Sequence, residues 1–498
     1  MSNKVRKERR GNDLIMAGLC LAMVIACLDS SVVSTCGPEI IADIGGGDSY
    51  SWILTAYLLC ETIMIPISGK LSDIFGRKPF FFVGLLLFVI GSIAAGMSTH
   101  ISRLIACRAV QGLGGGILIP VVTAAVGDLY TGSERAKMQG LLGAMFGIGS
   151  GLGPLVGGYL TTYFSWHWAF FVNVPLVAIC ALLIFRNYPT SAERGDSSVD
   201  YRGITVLSMF LLDLLLLLHW ANDEFEWVSI ESAVMGLVAV MLLAVFIHVE
   251  KRVKAPTIDP KLIRNGVVVK SSIFMLIFGF AMMGASTYIS FFGINVLGFT
   301  AMEAGEYGMA MVAGMMISSI ASSSLLQRTE YRLWLIMGPI LSAIGLYMMA
   351  QVDQDVTSIY LVACLFVFGL GLGCIMSIVL VAVQESSRPD EIGMTTSSVN
   401  LLRNIGTTMG TAIFATIINN GISSRLDSDH TLDMVNQFIP HNTDIVYAWD
   451  VFPLSQFKDT LVRIFIDSVD FAFVFAAAVL MALTLVGIVF KAKKPREE

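Results

Sequence analysis

The sequence predicts an all-α polytopic membrane protein with fourteen transmembrane helices. Three observations carry this. The chain of 498 residues is 55% hydrophobic and 14% charged, with a mean hydropathy of +0.74, whereas soluble domains carry roughly 25% charged residues. Its apolar residues fall in runs close to the ~20 residues an α-helix needs to cross the hydrocarbon core. Its Lys and Arg residues gather in alternate segments between those runs, the asymmetry that sets membrane orientation.

The segments, in order, are 13–35, 51–69, 80–98, 104–126, 138–162, 167–185, 203–220, 232–250, 271–295, 304–326, 333–351, 357–384, 394–418 and 468–490. The seventh carries Asp213 and the tenth Glu306. An even number of spans puts both termini on one side. With that side cytoplasmic, the inner segments hold 26 of the 32 Lys and Arg. The outer segments hold four, Arg103, Arg425, Lys458 and Arg463, while Arg108 and Arg403 fall inside spans. A missed span would scramble this alternation, so the charges support both the orientation and the count.

The basic linkers divide the chain as 6+2+6. Residues 1–12 form a basic cytoplasmic N-terminus and 13–186 a six-helix bundle. Residues 187–270 hold the linkers and an inserted two-helix hairpin. Residues 271–490 form a second six-helix bundle with a long outer loop at 419–467, and 491–498 a cytoplasmic tail. The N-terminus lacks the short apolar core and cleavage site of a signal peptide, so the first helix is expected to remain in the mature protein. The eight cysteines lie in or beside apolar runs with neither metal-ligand spacing nor a disulfide framework. They read as small apolar helix residues.

Four stretches carry more than hydropathy. The loop after the second span reads Gly69-Lys70-Leu71-Ser72-Asp73-Ile74-Phe75-Gly76-Arg77-Lys78-Pro79. Its glycines suit a tight turn between closely packed helices, and Asp73 and Arg77 have the spacing of an ion pair. The fourth span carries Arg108, Gln111, Gly112, Gly114, Gly115 and Gly116. An arginine there costs about 2.5–3.5 kcal/mol on insertion scales and normally faces an acid or a polar cavity, or else snorkels outward. The fifth span reads Gly140-x8-Gly149-x3-Gly153-Pro154-x2-Gly157-Gly158, with a second row at Gly143, Gly147 and Gly151. Four-residue glycine spacing strips a helix face for close packing, and Pro154 adds a kink. The first span ends Leu28-Asp29-Ser30-Ser31-Val32-Val33-Ser34-Thr35-Cys36-Gly37-Pro38.

These stretches resemble the signature loop, the fourth-helix motif and the antiporter motif of the major facilitator superfamily. The first-span segment is similar to the LDxTVVNVALP signature of its fourteen-helix drug:proton antiporter family, the multidrug and quaternary-ammonium efflux type. Ser31 and Ser34 stand where that signature has Thr and Asn. Tyr288 to Gly305 resembles the family's YLPxYLQNVxGxSxLxAG stretch, with Ser290 for Pro and Ile294 for Gln. Arg328-Thr329-Glu330-Tyr331-Arg332 resembles a decayed second copy of the signature loop. The resemblance covers about residues 13–490. It implies the major facilitator fold and a proton-coupled antiporter exporting drugs from the plasma membrane, with a role in antibiotic resistance. It also implies that Asp128 pairs with Arg77, and that Asp73 caps a helix of the second bundle and latches an outward-open state.

Asp29, Glu61, Arg108, Asp213 and Arg403 are ionisable residues inside spans, where charge is costly and usually functional. Asp29 and Glu61 are read as proton and cation sites, with Arg108 tuning Asp29. A fixed Asp29–Arg108 bridge is the other reading of that pair. Arg403, near Asn400, lines the cavity or neutralises Glu61, and Asp213 is read as meeting a local polar contact or water in preference to a coupling role. A drug cavity is rich in aromatic and Met side chains with few polar anchors. Trp52, Tyr57, Gln111, Met282, Met283, Tyr288, Phe291, Phe292 and Asn400 are its candidates.

The Gly-rich runs lack a P-loop lysine and no nucleophile or metal motif is seen, so neither ATP chemistry nor an enzyme is expected. The proton gradient is the expected energy source, with no cofactor and no metal. Lipid, protons and a small-molecule substrate are the expected partners of a monomer, with no nucleic acid. An exporter of a specific metabolite or organic anion, through Arg108 and Arg403, stays open, as does a transport-inactive receptor of the same fold.

Overall fold

The computed structural model describes residues 3–46, 49–188, 199–221, 225, 227–253, 256–259, 262, 264–326, 328–353, 356–428 and 458–490. Among them are fourteen helices long and apolar enough to cross a membrane. The first six are α1 (Asn3–Ile44), α2 (Tyr50–Phe75), α3 (Arg77–Gly96), α4 (Ile101–Leu129), α5 (Gly132–Tyr163) and α6 (Trp168–Asn187). The hairpin is α7 (Tyr201–Trp220) and α8 (Ile230–Glu250). The last six are α9 (Gly266–Asn295), α10 (Ala301–Leu325), α11 (Tyr331–Met349), α12 (Ser358–Ser386), α13 (Ile392–Ser428) and α14 (Lys458–Ile488).

Local chemistry sets the helix ends. Gly76 alone connects α2 to α3, at φ 91°, a conformation that only glycine adopts without strain. Asp200 caps α7 by accepting from Gly203 N at 2.9 Å. Thr300 and Glu303 form a reciprocal capping box on α10. Leu86, Leu182, Phe185, Leu237, Val240 and Leu485 are exposed, as side chains facing lipid tails must be.

Several helices run further than hydropathy indicates. α13 continues to Ser428 and α14 begins at Lys458, so both ends of the expected outer loop 419–467 are helical. Residues 429–457 lie outside the described residues, as do most of the 186–202 linker and the 491–498 tail. Hydropathy marks the apolar part of a helix, whereas backbone hydrogen bonding carries on into polar sequence.

Within the first bundle α1 packs on α5 and α2 on α4; within the second α9 packs on α13 and α10 on α12. The bundles meet along two seams, α2 with α13 and α5 with α10 and α12. The hairpin covers the α2–α13 seam through α7, where Ile65, Leu207, Leu211, Phe246, Leu401 and Ile405 form one apolar cluster. At one end of this seam, Thr55 Oγ1 lies 3.2 Å from His219 Nε2, and Trp227 Nε1 donates to Thr416 Oγ1 at 2.8 Å.

Candidate functional site

The two glycine rows of α5 face different helices. Gly149, Gly153 and Gly157 abut Val24, Cys27, Ser31, Val32 and Thr35 of α1. Gly143, Gly147 and Gly151 abut Ser319, Met315 and Val312 of α10. One helix thereby packs tightly inside its own bundle and also forms the seam with the other. Pro154 lies against Gly305 of α10, Gly140 O accepts from Ser319 Oγ at 2.8 Å, and a Cβ on Gly158 would meet nothing within 4 Å.

Asp29 is enclosed within the first bundle. Its Oδ2 pairs with Arg108 Nη1, and its Oδ1 accepts from Gln111 Nε2 at 2.6 Å and Asn173 Nδ2 at 2.7 Å. Arg108 also donates to Gln111 Oε1 at 2.7 Å and Ile53 O at 3.2 Å, and lies over the Tyr57 ring at 4.2 Å. Gln111 Nε2 reaches Ser92 Oγ at 2.8 Å. The network therefore joins α1, α2, α3, α4 and α6, and its ion pair is fully buried. Removing one partner of such a pair costs about 3–5 kcal/mol, because the other charge is left uncompensated.

Glu61 occupies a different environment. It is buried on α2 at the seam, and the groups facing it across the seam are Arg403 and Asn404 of α13, with Asn404 in hydrogen-bond reach. Asn404 also donates to Thr62 Oγ1 at 3.4 Å and accepts from Arg403 Nη2 at 3.1 Å. The amide thus stands between carboxylate and guanidinium. Arg403 is 3% exposed, and its Cζ lies 4.7 Å from the centre of the Phe146 ring of α5. Asn400, one turn away, donates to Thr396 O at 3.1 Å.

The basic-loop end of the molecule is bridged between bundles. Arg77 pairs with Asp73, with Asp128 at 2.9 Å, and donates to Ser72 Oγ at 2.6 Å. Asp73 Oδ2 accepts from Met394 N at 2.9 Å, at the N-terminus of α13. Gly69 lies against Ser397 and Gly393, which lets α2 and α13 approach. Lys78 donates to Phe185 O at 2.8 Å and Tyr188 O at 3.0 Å, closing the end of α6. On the other seam, Arg135 pairs with Glu385 at 2.9 Å, and Gln139 and Gln384 join at 3.0 Å.

The expected cavity residues disperse. Trp52 packs edge-on against His219 and Trp220 of the hairpin, at 5.7 and 6.2 Å. Tyr57 is buried under Arg108. Tyr288 stacks on Phe414, Phe291 packs on Phe465, and Phe292 is buried, all within the second bundle. Met282 and Met283 are partly buried on α9, Met282 against the same core. These aromatic rings satisfy one another, and periodicity alone did not distinguish core from cavity. Asp213 Oδ2 is buried without a partner among the described residues.

Sequence reasoning missed Ser92, Asn173, Asn404, Gln139 and Gln384. Gln139, Gln384 and Asn404 are amides inside helical spans, and a buried amide needs partners. That signal was available. Asn173, inside the expected 167–185 span, gave the same signal, whereas Ser92 gave none, since serine is common in apolar helices.

A profile of the Major Facilitator Superfamily matches residues 19–411. Multidrug transporter protein MdtP of Bacillus subtilis (strain 168) is 33% identical over 421 residues, 84% of this chain and 77% of that protein. Multidrug resistance protein 3 of the same organism is 30% identical over 420 residues, 84% of this chain and 82% of that protein. Among solved structures, the human organic anion transporter MFSD10 (TETRAN) superposes with a TM-score of 0.64 at 14% identity, covering 95% of this chain and 99% of its own. The proton:xylose symporter XylE superposes with a TM-score of 0.61 at 12% identity, covering 95% and 94%. At these identities the two structures share the fold.

Proposed function

The chain belongs to the major facilitator superfamily and is a multi-pass membrane transporter, not an enzyme; on that premise we propose a proton-coupled antiporter that exports lipophilic and cationic compounds across the plasma membrane. Both termini are cytoplasmic in this reading, on the strength of the charge asymmetry. The end bridged by Asp73, Arg77 and Met394 is then the inner end, and it is closed. Relatives named as multidrug transporters support the substrate class.

The position of Glu61 carries the coupling. It is a buried acid on one bundle; Asn404 and Arg403, which face it across the seam, belong to the other, while Arg108 and Asp29 are the charges near it in its own. Rocking the bundles about this seam withdraws Asn404 and Arg403, so the balance between protonated and ionised carboxylate differs between the two states. A cationic substrate competes with the proton for the same carboxylate. Asp29, with its partners all in its own bundle, keeps its surroundings when the bundles move. It serves as a tie holding five helices together.

Two measurements on purified full-length protein test this. One is proton release on adding ethidium, a lipophilic monocation. The other is ethidium transport driven by a pH gradient in proteoliposomes. Glu61→Gln is expected to abolish both. Full gradient-driven transport by that variant would sink the proposal.

A further inference from the structure

Arg403 has more hydrogen-bonding capacity than the protein uses. Its Nε and Nη1 are fully buried with no hydrogen-bond partner among the described residues, and Nη2 donates only to Asn404. It joins no ion pair there either, since Asn404 intervenes before Glu61. A guanidinium has five N–H donors and cannot shed its charge. Burying it with donors unpaired is costly, and the Phe146 ring recovers only part of that through cation–π attraction. Arg108 leaves only Nη2 without a partner, while its Nε and Nη1 are held by Ile53 O, Asp29 and Gln111 and its charge is matched by Asp29.

Arg403 is therefore built differently, and its location says what it meets. It lies on α13 where that helix faces α2 of the other bundle, and its guanidinium reaches Phe146 of α5. Its charged neighbour there is Glu61, with Cys27 close by. A substrate between the bundles meets a carboxylate and a guanidinium side by side, spaced by one amide side chain.

We infer that Arg403 is an anion-recognition site paired with Glu61, and that the transporter accepts zwitterionic as well as cationic substrates, with the cationic group held at Glu61 and a zwitterion's carboxylate or similar anion at Arg403. This rests on the reading of Glu61 as the cation and proton site. A zwitterion leaves both buried charges matched, whereas a simple cation meets only Glu61 and brings a positive charge near the guanidinium. A charge-assisted hydrogen bond to a buried donor is among the stronger single contacts a site can make.

The test uses two probes that differ only in the anionic group. Nε-dansyl-Nα,Nα,Nα-trimethyl-lysine is a permanent zwitterion, and its methyl ester a permanent monocation. Gradient-driven transport of each is measured in proteoliposomes of the full-length protein and expressed as the acid-to-ester ratio. In the wild type the acid is expected to be carried at least as well as the ester. Arg403→Gln is expected to lower the ratio by roughly tenfold, the scale of one charged hydrogen bond. Arg403→Lys, which keeps the charge with fewer donors, is expected to restore part of it. Because both probes are carried by the same protein, poor folding scales both rates and leaves the ratio unmoved. Exclusion of the acid by the wild type, or a ratio unchanged in Arg403→Gln, overturns the inference. Proton release driven by the ester, compared in wild type and Glu61→Gln, tests the coupling reading separately.

Discussion

Replacing Asp73 with alanine isolates the contact that joins the bundles at the basic end. The first amides of α13 have no acceptor within their own helix. Met394 N finds one in Asp73 Oδ2 at 2.9 Å, across the seam. Asp73→Ala removes that acceptor and the negative charge at the helix N-terminus. Arg77 keeps Asp128 at 2.9 Å and Ser72 Oγ at 2.6 Å, so it is not left uncompensated. The Arg77–Asp73 pair is lost too, but it lies within the first bundle, so the loss across the seam is one charge-assisted hydrogen bond, about 1.5–3 kcal/mol. At about 1.4 kcal/mol per tenfold, the arrangement closed at this end becomes roughly 10- to 150-fold less favoured against the opposite one. Hydrogen exchange reads this directly. Peptides spanning residues 392–398 are expected to exchange at least tenfold faster in the variant. Unchanged exchange there, together with an unchanged ethidium transport rate, would refute the latch.

Two further predictions concern stability. A Cβ on Gly153 would lie 2.7 and 2.9 Å from the backbone C and Cα of Ser31, so Gly153→Ala is expected to cost about 1–3 kcal/mol by overpacking. Gly158→Ala meets nothing within 4 Å and is expected to change stability by less than about 0.5 kcal/mol. Thermal unfolding of the two variants in detergent, side by side, checks both. Asp29→Asn strips the counter-charge from buried Arg108 and is expected to destabilise the first bundle by about 3–5 kcal/mol. A melting temperature equal to wild type would show that the pair is not a tie.

The sequence by itself determined the membrane class, the fourteen spans and the 6+2+6 division. Each follows from quantities that are local in the chain: the length of an apolar run, and the sign of charge between runs. It also determined which residues to suspect, because an ionisable group inside a span is visible without coordinates. Both glycine rows of α5 were legible as close-packing faces. Tertiary structure decided what faced them, α1 for one row and α10 for the other. It likewise separated acids that looked alike. Asp29 and Glu61 each read as a carboxylate in a span, yet one is bound by side chains of its own bundle and the other faces the second. The cavity aromatics show the same limit, since whether Tyr288 meets a ligand or Phe414 depends on helix packing. Asn404 and Met394 are over 300 residues beyond Glu61 and Asp73, and became their neighbours only when the bundles docked. Burial and partnership are properties of that docking, so no local pattern in the chain records them.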